Sequence, residues 1–365
     1  LFQVLGQLSL YLLFIGIFFF SKAFFHCKRL SIYLLASLVI FKIYANLNDP
    51  TFLLQVTPLR LDLWIILLFL VYSKGPYHWS VALALGLLAT LHRSFGIIYL
   101  LSYCQLIIIL AGLDFYDEFK KEGKNKFHTV RWLNRQLRSN GKNFLILVGS
   151  FLLISFLFKS DSGQSGTDIY QRLGLGFLPI VKASFYWYVP VLFSILALFL
   201  LQYRITIKER YFYTGMFLLL LAIGQSIYFL GRSHENNIIN ISAILLLCLF
   251  TVMDLVDYSF KDNKTGMYKN IAKLLPTVFS VIFLLGTAYC YQKNIIARTK
   301  AQYQNLAGLR FINTEASFVP PNFSVIKNVT RYSKRVYFMT YEDFIYYYYG
   351  DYLPVGFYSP YHAWV

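Results

Sequence analysis

Apolar runs long enough to cross, or nearly cross, a bilayer follow one another along most of this chain, interrupted by short polar clusters. Ten of them are candidate transmembrane helices: Leu5–Ser21, Leu30–Tyr44, Leu61–Ser73, Trp79–Leu91, Phe95–Gly112, Asn143–Phe158, Tyr186–Tyr203, Tyr211–Leu230, Ile238–Leu255 and Leu274–Tyr291. A span needs roughly 20 apolar residues, fewer where short hairpins pack inside the protein. The stretch Trp79–Gly112 reads two ways, as one long tilted helix or as two short helices broken at His92-Arg93-Ser94. No repeat of fixed period is visible.

Composition agrees with a membrane location. The 365 residues are 57% hydrophobic and 19% aromatic, and only 14% are charged. A soluble domain carries about 25% charged residues, so a single soluble core is excluded. The net charge of +17 would suit nucleic acid only if the bases shared one soluble face. Here many of them sit in short loops between apolar runs, where they orient a membrane protein. Nucleic acid is therefore set aside as a partner.

The same charges choose between the two readings of Trp79–Gly112. Asp114–Lys142 carries eight basic residues, from Lys120 to Lys142, and its length brings it under the positive-inside rule. With the break at His92 counted, the other inside loops become His26–Arg29, Lys74–His78, Arg204–Arg210 and Asp257–Lys273, nearly all basic. The outside segments are then Asn46–Arg60, His92–Ser94, Lys159–Phe185, Gly231–Asn237 and the tail. The tail is basic too, but long domains escape the rule. Its stretch Arg335–Thr340 reads as a strand after a loop at Val319–Pro321. The expected fold is thus an all-α polytopic membrane protein of about ten transmembrane helices, residues 1–291. A small extracytoplasmic α/β segment, residues 292–365, follows and has no terminal cap.

Chemistry is sought first where ionisable groups meet the membrane, because holding them there is costly. Gly231-Arg232-Ser233-His234-Glu235-Asn236-Asn237 is the densest polar cluster between two spans. As an anion site, Arg232 would fork onto a phosphate, His234 would donate or shuttle a proton, and Asn237 or Asn236 would hold a hydroxyl. As a plain helical hairpin, Gly231 would be the C-cap, Arg232 would offset the preceding helix dipole and an asparagine would cap the next helix. Arg60 begins a span, the wrong end of a helix dipole for a cation. Either a bound phosphate relieves it or the side chain snorkels to the interface. Asp62, in the first turn of the same helix, is either a helix-start acid or a partner of Arg60. His92 and Arg93 break an apolar run on the same outer face, as a polar turn or as further phosphate ligands. Asp49, before Pro50, is a turn residue or a catalytic base. The four cysteines form no CxxC pair and read as structural thiols. Metal ligation by them is not expected, and no P-loop or dinucleotide fingerprint is present.

In outline this pattern resembles the polyprenyl-phosphate-dependent glycosyltransferases of the membrane-embedded GT-C superfamily. Many short spans, outside loops bearing Arg, His and Asp, a broken hairpin like Trp79–Gly112 and a tail after the last span carry the likeness. The stretch Tyr228-Phe229-Leu230-Gly231-Arg232-Ser233-His234 is similar to loops of uncharacterised bacterial members. The resemblance implies a lipid-linked sugar donor, reaction on the extracytoplasmic side, and an acid in the first outside loop serving as base or metal ligand. It would align Leu5–Ser21 with the family's second span, so the first span and its acid-bearing loop would precede Leu1. A divalent metal is a conditional cofactor on this reading.

Three functions follow as expectations. The first is transfer of a sugar from a polyprenyl phosphate to a glycan, lipid or protein acceptor, with His234 and Asp49 catalytic. In that reading Arg232, Arg93 and Arg60 hold phosphate, and His92 and Asn237 give polar support. The second is an O-antigen polymerase or ligase, a group that also resembles this chain in its outside arginines and histidine. The third is a transporter or flippase for an anionic lipid or solute, which should show paired repeats with broken helices near the midplane. None is visible. The Ile-, Phe- and Lys-rich style points to a bacterial cytoplasmic membrane.

Overall fold

A computed structural model describes residues 2–46, 57–91, 93–122, 132, 141–153, 184–230, 235–262, 266–307, 335–336 and 353–354. By their contacts they fall into two units, Leu1–Lys159 with Phe177–Ile296, and Ser160–Gly176 with Ala297–Val365.

The first unit is a helical bundle. Helix α1 spans Phe2–Phe24, and α2 spans Leu30–Val39 before widening into a π-turn at Ile40–Ala45. A single turn, α3 (Pro58–Leu61), precedes α4 (Trp64–Lys74). Pro58 occupies the first helical position, where its missing N–H costs nothing. Helix α4 stops at Gly75, whose φ of 89° suits a residue without Cβ. Next come α5 (Trp79–Leu91), α6 (Arg93–Glu122) and α7 (Gly141–Leu153). The remainder are α8 (Tyr188–Gln202), α9 (Glu209–Leu230), α10 (Glu235–Asn240), α11 (Ser242–Asp262), α12 (Gly266–Cys290) and α13 (Gln292–Ala307).

The break anticipated near His92 is present: α5 ends at Leu91 and α6 begins at Arg93. The two helices fold back on each other. A Cβ on Gly96 would lie 2.3 Å from Ala89 Cα, so only glycine permits this approach. Further along, the Tyr103 hydroxyl donates to the Pro76 carbonyl at 2.9 Å, which completes an antiparallel hairpin.

Packing and surface together identify the solvent. On α1, Ile17, Phe20 and Phe24 are buried, while Leu8, Leu12, Ile15 and Phe19 on the other side are all more than half exposed. A helix apolar all round is a core helix or a membrane span, and this one is only half covered by protein. Among the described residues four helices are long and apolar enough to cross a membrane, Leu5–Phe24, Phe95–Lys121, Phe185–Gln202 and Ser242–Phe260. The bent pair Leu274–Cys290 and Gln292–Lys300 makes a fifth if it counts as one span. The chain is a helical membrane protein.

The count of ten expected spans is not reproduced at that standard. Leu30–Ala45, Trp64–Lys74, Trp79–Ala89 and Gly141–Leu153 are apolar but short. The 11 residues of α4 rise only about 16 Å, against a hydrocarbon core of about 30 Å. Hydrophobicity alone marked these runs, and it does not set where a helix stops. Of the second unit, the described residues are the end of α13 and a parallel pairing of Arg335–Val336 with Leu353–Pro354. Two residues on each side do not establish the expected α/β segment.

Candidate functional site

Contacts between helices define two ends of the bundle. At one end the Tyr72 hydroxyl reaches the Ala23 carbonyl at 2.8 Å, Arg204 pairs with Asp117, and Tyr258 donates to the Thr206 carbonyl at 2.9 Å. The segments His26–Arg29, Lys74–His78 and Arg204–Arg210 gather there, so it is the basic end. At the other end α2, α3, α6, α9 and α10 meet around Lys42, and the segments expected to carry chemistry leave the bundle from this end.

Lys42 is the centre of that second end. It sits in the π-turn, only 1% exposed, and its Nζ donates to Asp62 Oδ2 at 2.8 Å and to the Asn240 carbonyl at 2.6 Å. Asp62 Oδ1 also accepts from Trp64 Nε1 at 3.3 Å. Asn240, at the end of α10, takes the Asn46 amide on its Oδ1 at 3.1 Å and donates its own Nδ2 to Asn237 Oδ1 at 3.4 Å. Below, Gln225 of α9 donates to the Leu61 carbonyl at 2.7 Å, and the Tyr99 hydroxyl of α6 reaches the same oxygen at 3.4 Å. Four helices and the π-turn are therefore tied at one point.

This arrangement follows from the cost of buried charge. An ammonium and a carboxylate drawn out of water each lose several kcal/mol of hydration, regained only with close pairing and further hydrogen bonds. Both charges here have them. A π-turn adds one residue to a helical turn, and such turns are frequent at functional sites. In this chain it carries Lys42 within reach of both Asp62 and the Asn240 carbonyl.

The structure places the sequence-derived candidates unevenly. Asp49, His92, Arg232 and His234 lie outside the described residues. Arg93 is the first residue of α6. Arg60, half-buried, lies in the last turn of α3 two residues before Asp62, and Asn237, also half-buried, lies in α10. Arg60 and Asn237 thus belong to two turns joined through Lys42. Asp62, read from the sequence as a helix-start acid or a partner of Arg60, is held by Lys42.

Lys42, Asn46, Gln225 and Asn240 were missed by sequence reasoning. A signal did exist for Lys42: it is the one cation inside the apolar run Leu30–Tyr44, and a charge within a span is a functional candidate in its own right. Among the described residues no three His, Cys, Asp or Glu side chains are grouped to hold a metal. Compared with known protein families, curated proteins and solved structures, the chain matches none.

Proposed function

We propose that this chain is an integral membrane glycosyltransferase of ten spans, the short helices included, that moves a sugar from a polyprenyl-phosphate donor to an acceptor outside the membrane. The supporting observation is the Lys42 network: a buried ion pair fixes the turns that bear Arg60 and Asn237 at one end of the bundle. The loops carrying Asp49 and Arg232-Ser233-His234 leave from that same frame. The basic loops collect at the opposite end, which the positive-inside rule puts in the cytoplasm.

In the proposed reaction the bond from the sugar's anomeric carbon to the phosphate oxygen breaks, and a bond from that carbon to the acceptor hydroxyl oxygen forms. The hydroxyl proton passes to a base, His234 or Asp49. Polyprenyl phosphate departs with the negative charge, stabilised by Arg232, Arg93 and Arg60. Lys42 is too buried to touch substrate and acts as a positioning residue. A divalent metal would fit this chemistry only if a carboxylate such as Asp49 is supplemented by ligands beyond the described residues.

The test is sugar transfer by the full chain in proteoliposomes, with a synthetic polyprenyl-phosphate sugar as donor. Arg232→Ala should abolish most turnover, and Arg232→Lys should restore little, because lysine keeps the charge but loses the planar fork. Near-parental activity of Arg232→Ala would remove that loop from the active site.

A further inference from the structure

At the basic end a second polar cluster surrounds Asp254 of α11. Its carboxylate is fully buried and accepts four hydrogen bonds: from the His26 and Cys27 backbone N–H groups at 2.9 and 2.7 Å, from His26 Nδ1 at 2.9 Å, and from the Tyr211 hydroxyl at 2.9 Å. A carboxylate only accepts, so Nδ1 is the protonated nitrogen and Nε2 is the free one. The imidazole is clasped between the rings of Tyr211 and Tyr258, 4.6 and 4.7 Å away. Its tautomer and orientation are therefore fixed from three sides.

His26 also lines a cavity of about 730 Å³ between the end of α1 and the start of α9. Three cations, Lys28, Lys208 and Arg210, line it as well, against the single carboxylate of Glu209. Lys28 is partly occupied, donating to the Ala23 and Phe25 carbonyls at 3.3 and 2.6 Å. Lys208 and Arg210 are exposed and have no ion-pair partner among the described residues. Glu209 instead accepts from Tyr213. The floor is aromatic, with Phe24, Phe69, Tyr72 and Tyr211.

A pure snorkelling role would leave these cations splayed toward the bilayer surface. Here Lys28, Lys208 and Arg210 line one concave site, and an ammonium beside a guanidinium is a donor set that binds phosphate oxygens. We propose that this cavity binds a phosphate group attached to an apolar or aromatic moiety. Lys208 and Arg210 hold the phosphate, and the ring-lined floor takes the rest. The ligand is either the headgroup of an anionic lipid or a soluble phosphate ester. This site lies at the opposite end from Lys42 and does not depend on the sugar-transfer reading.

The experiment measures thermal unfolding of the full chain in detergent, titrated separately with dioctanoyl phosphatidylglycerol and with phenyl phosphate. Sodium chloride of equal ionic strength is the control. A ligand that binds the folded state raises the midpoint with its concentration. A shift with the lipid alone assigns a headgroup, and a shift with phenyl phosphate assigns a soluble ester. In either case Lys208→Ala/Arg210→Ala should weaken the apparent affinity tenfold or more. Glu209→Gln, which removes the opposing charge, should strengthen it severalfold, so the proposal does not rest on loss of function alone. No shift with either ligand beyond the salt control overturns it. So does a shift that both variants leave unchanged.

Discussion

Replacing Lys42 by methionine keeps most of the side-chain volume but removes the cation that pairs with Asp62. The Asp62 carboxylate would then keep a single 3.3 Å bond from Trp64, and the Asn240 carbonyl would lose its 2.6 Å donor. Removing one partner of a buried pair costs about 3–5 kcal/mol, because the other charge stays buried and uncompensated. Asp62→Leu should cost a similar amount, stranding the Lys42 ammonium. The double variant Lys42→Met/Asp62→Leu strands neither. Apolar replacement of a buried pair is often neutral, so its stability should fall within about 2 kcal/mol of the parent, allowing for the lost Asn240 contact. The coupling energy is then about 4 kcal/mol or more, against 0.2–1 kcal/mol for an exposed pair. Unfolding of the four proteins by titrating SDS into mild-detergent micelles, followed through the fluorescence of the five tryptophans, gives the cycle directly. Additive single substitutions, each below about 1 kcal/mol, would show that water reaches the pair and would refute the reasoning.

Gly96→Val should separate α5 from α6, since the added Cβ meets Ala89 Cα at 2.3 Å; overpacking of this kind costs about 1–3 kcal/mol or more, read as a lower midpoint in the same titration. Asp254→Ala should destabilise by about 3–5 kcal/mol, because it leaves four donors around a buried position without an acceptor; an unchanged midpoint would mean those donors find water. In a background with the four cysteines replaced, Leu59→Cys should react with a membrane-impermeant maleimide on intact cells and Ile205→Cys only after permeabilisation. Leu59 is 48% exposed at the Lys42 end and Ile205 is 95% exposed at the basic end, so equal labelling would defeat the assignment of sides.

Some of this architecture was legible in the sequence because local chemistry fixes it. Polar residues at His92-Arg93-Ser94 interrupt an apolar run, and the helix does break there. The described basic segments His26–Arg29, Lys74–His78 and Arg204–Arg210 share one end of the bundle, while the Arg60 and Asn237 turns share the other. Helix length was less legible, as α4 shows, since an apolar run reports affinity for lipid and not the residue at which hydrogen bonding stops.

The tertiary structure alone decided which polar groups meet. Lys42 finds Asp62 20 residues on and Asn240 198 residues on, and His26 finds Asp254 at a separation of 228. No pattern in one segment announces such a partner. In a soluble protein the buried stripe of a helix differs in polarity from its wet face, and the sequence records the difference. Lipid is as apolar as a protein core, so α1 reads as greasy on both sides and carries no mark of the side that packs. Composition and charge were enough to put the chain in a membrane and suggest its orientation. Which charges are paired, buried or left free to bind a ligand depended on helices far apart in the chain being brought within 3 Å.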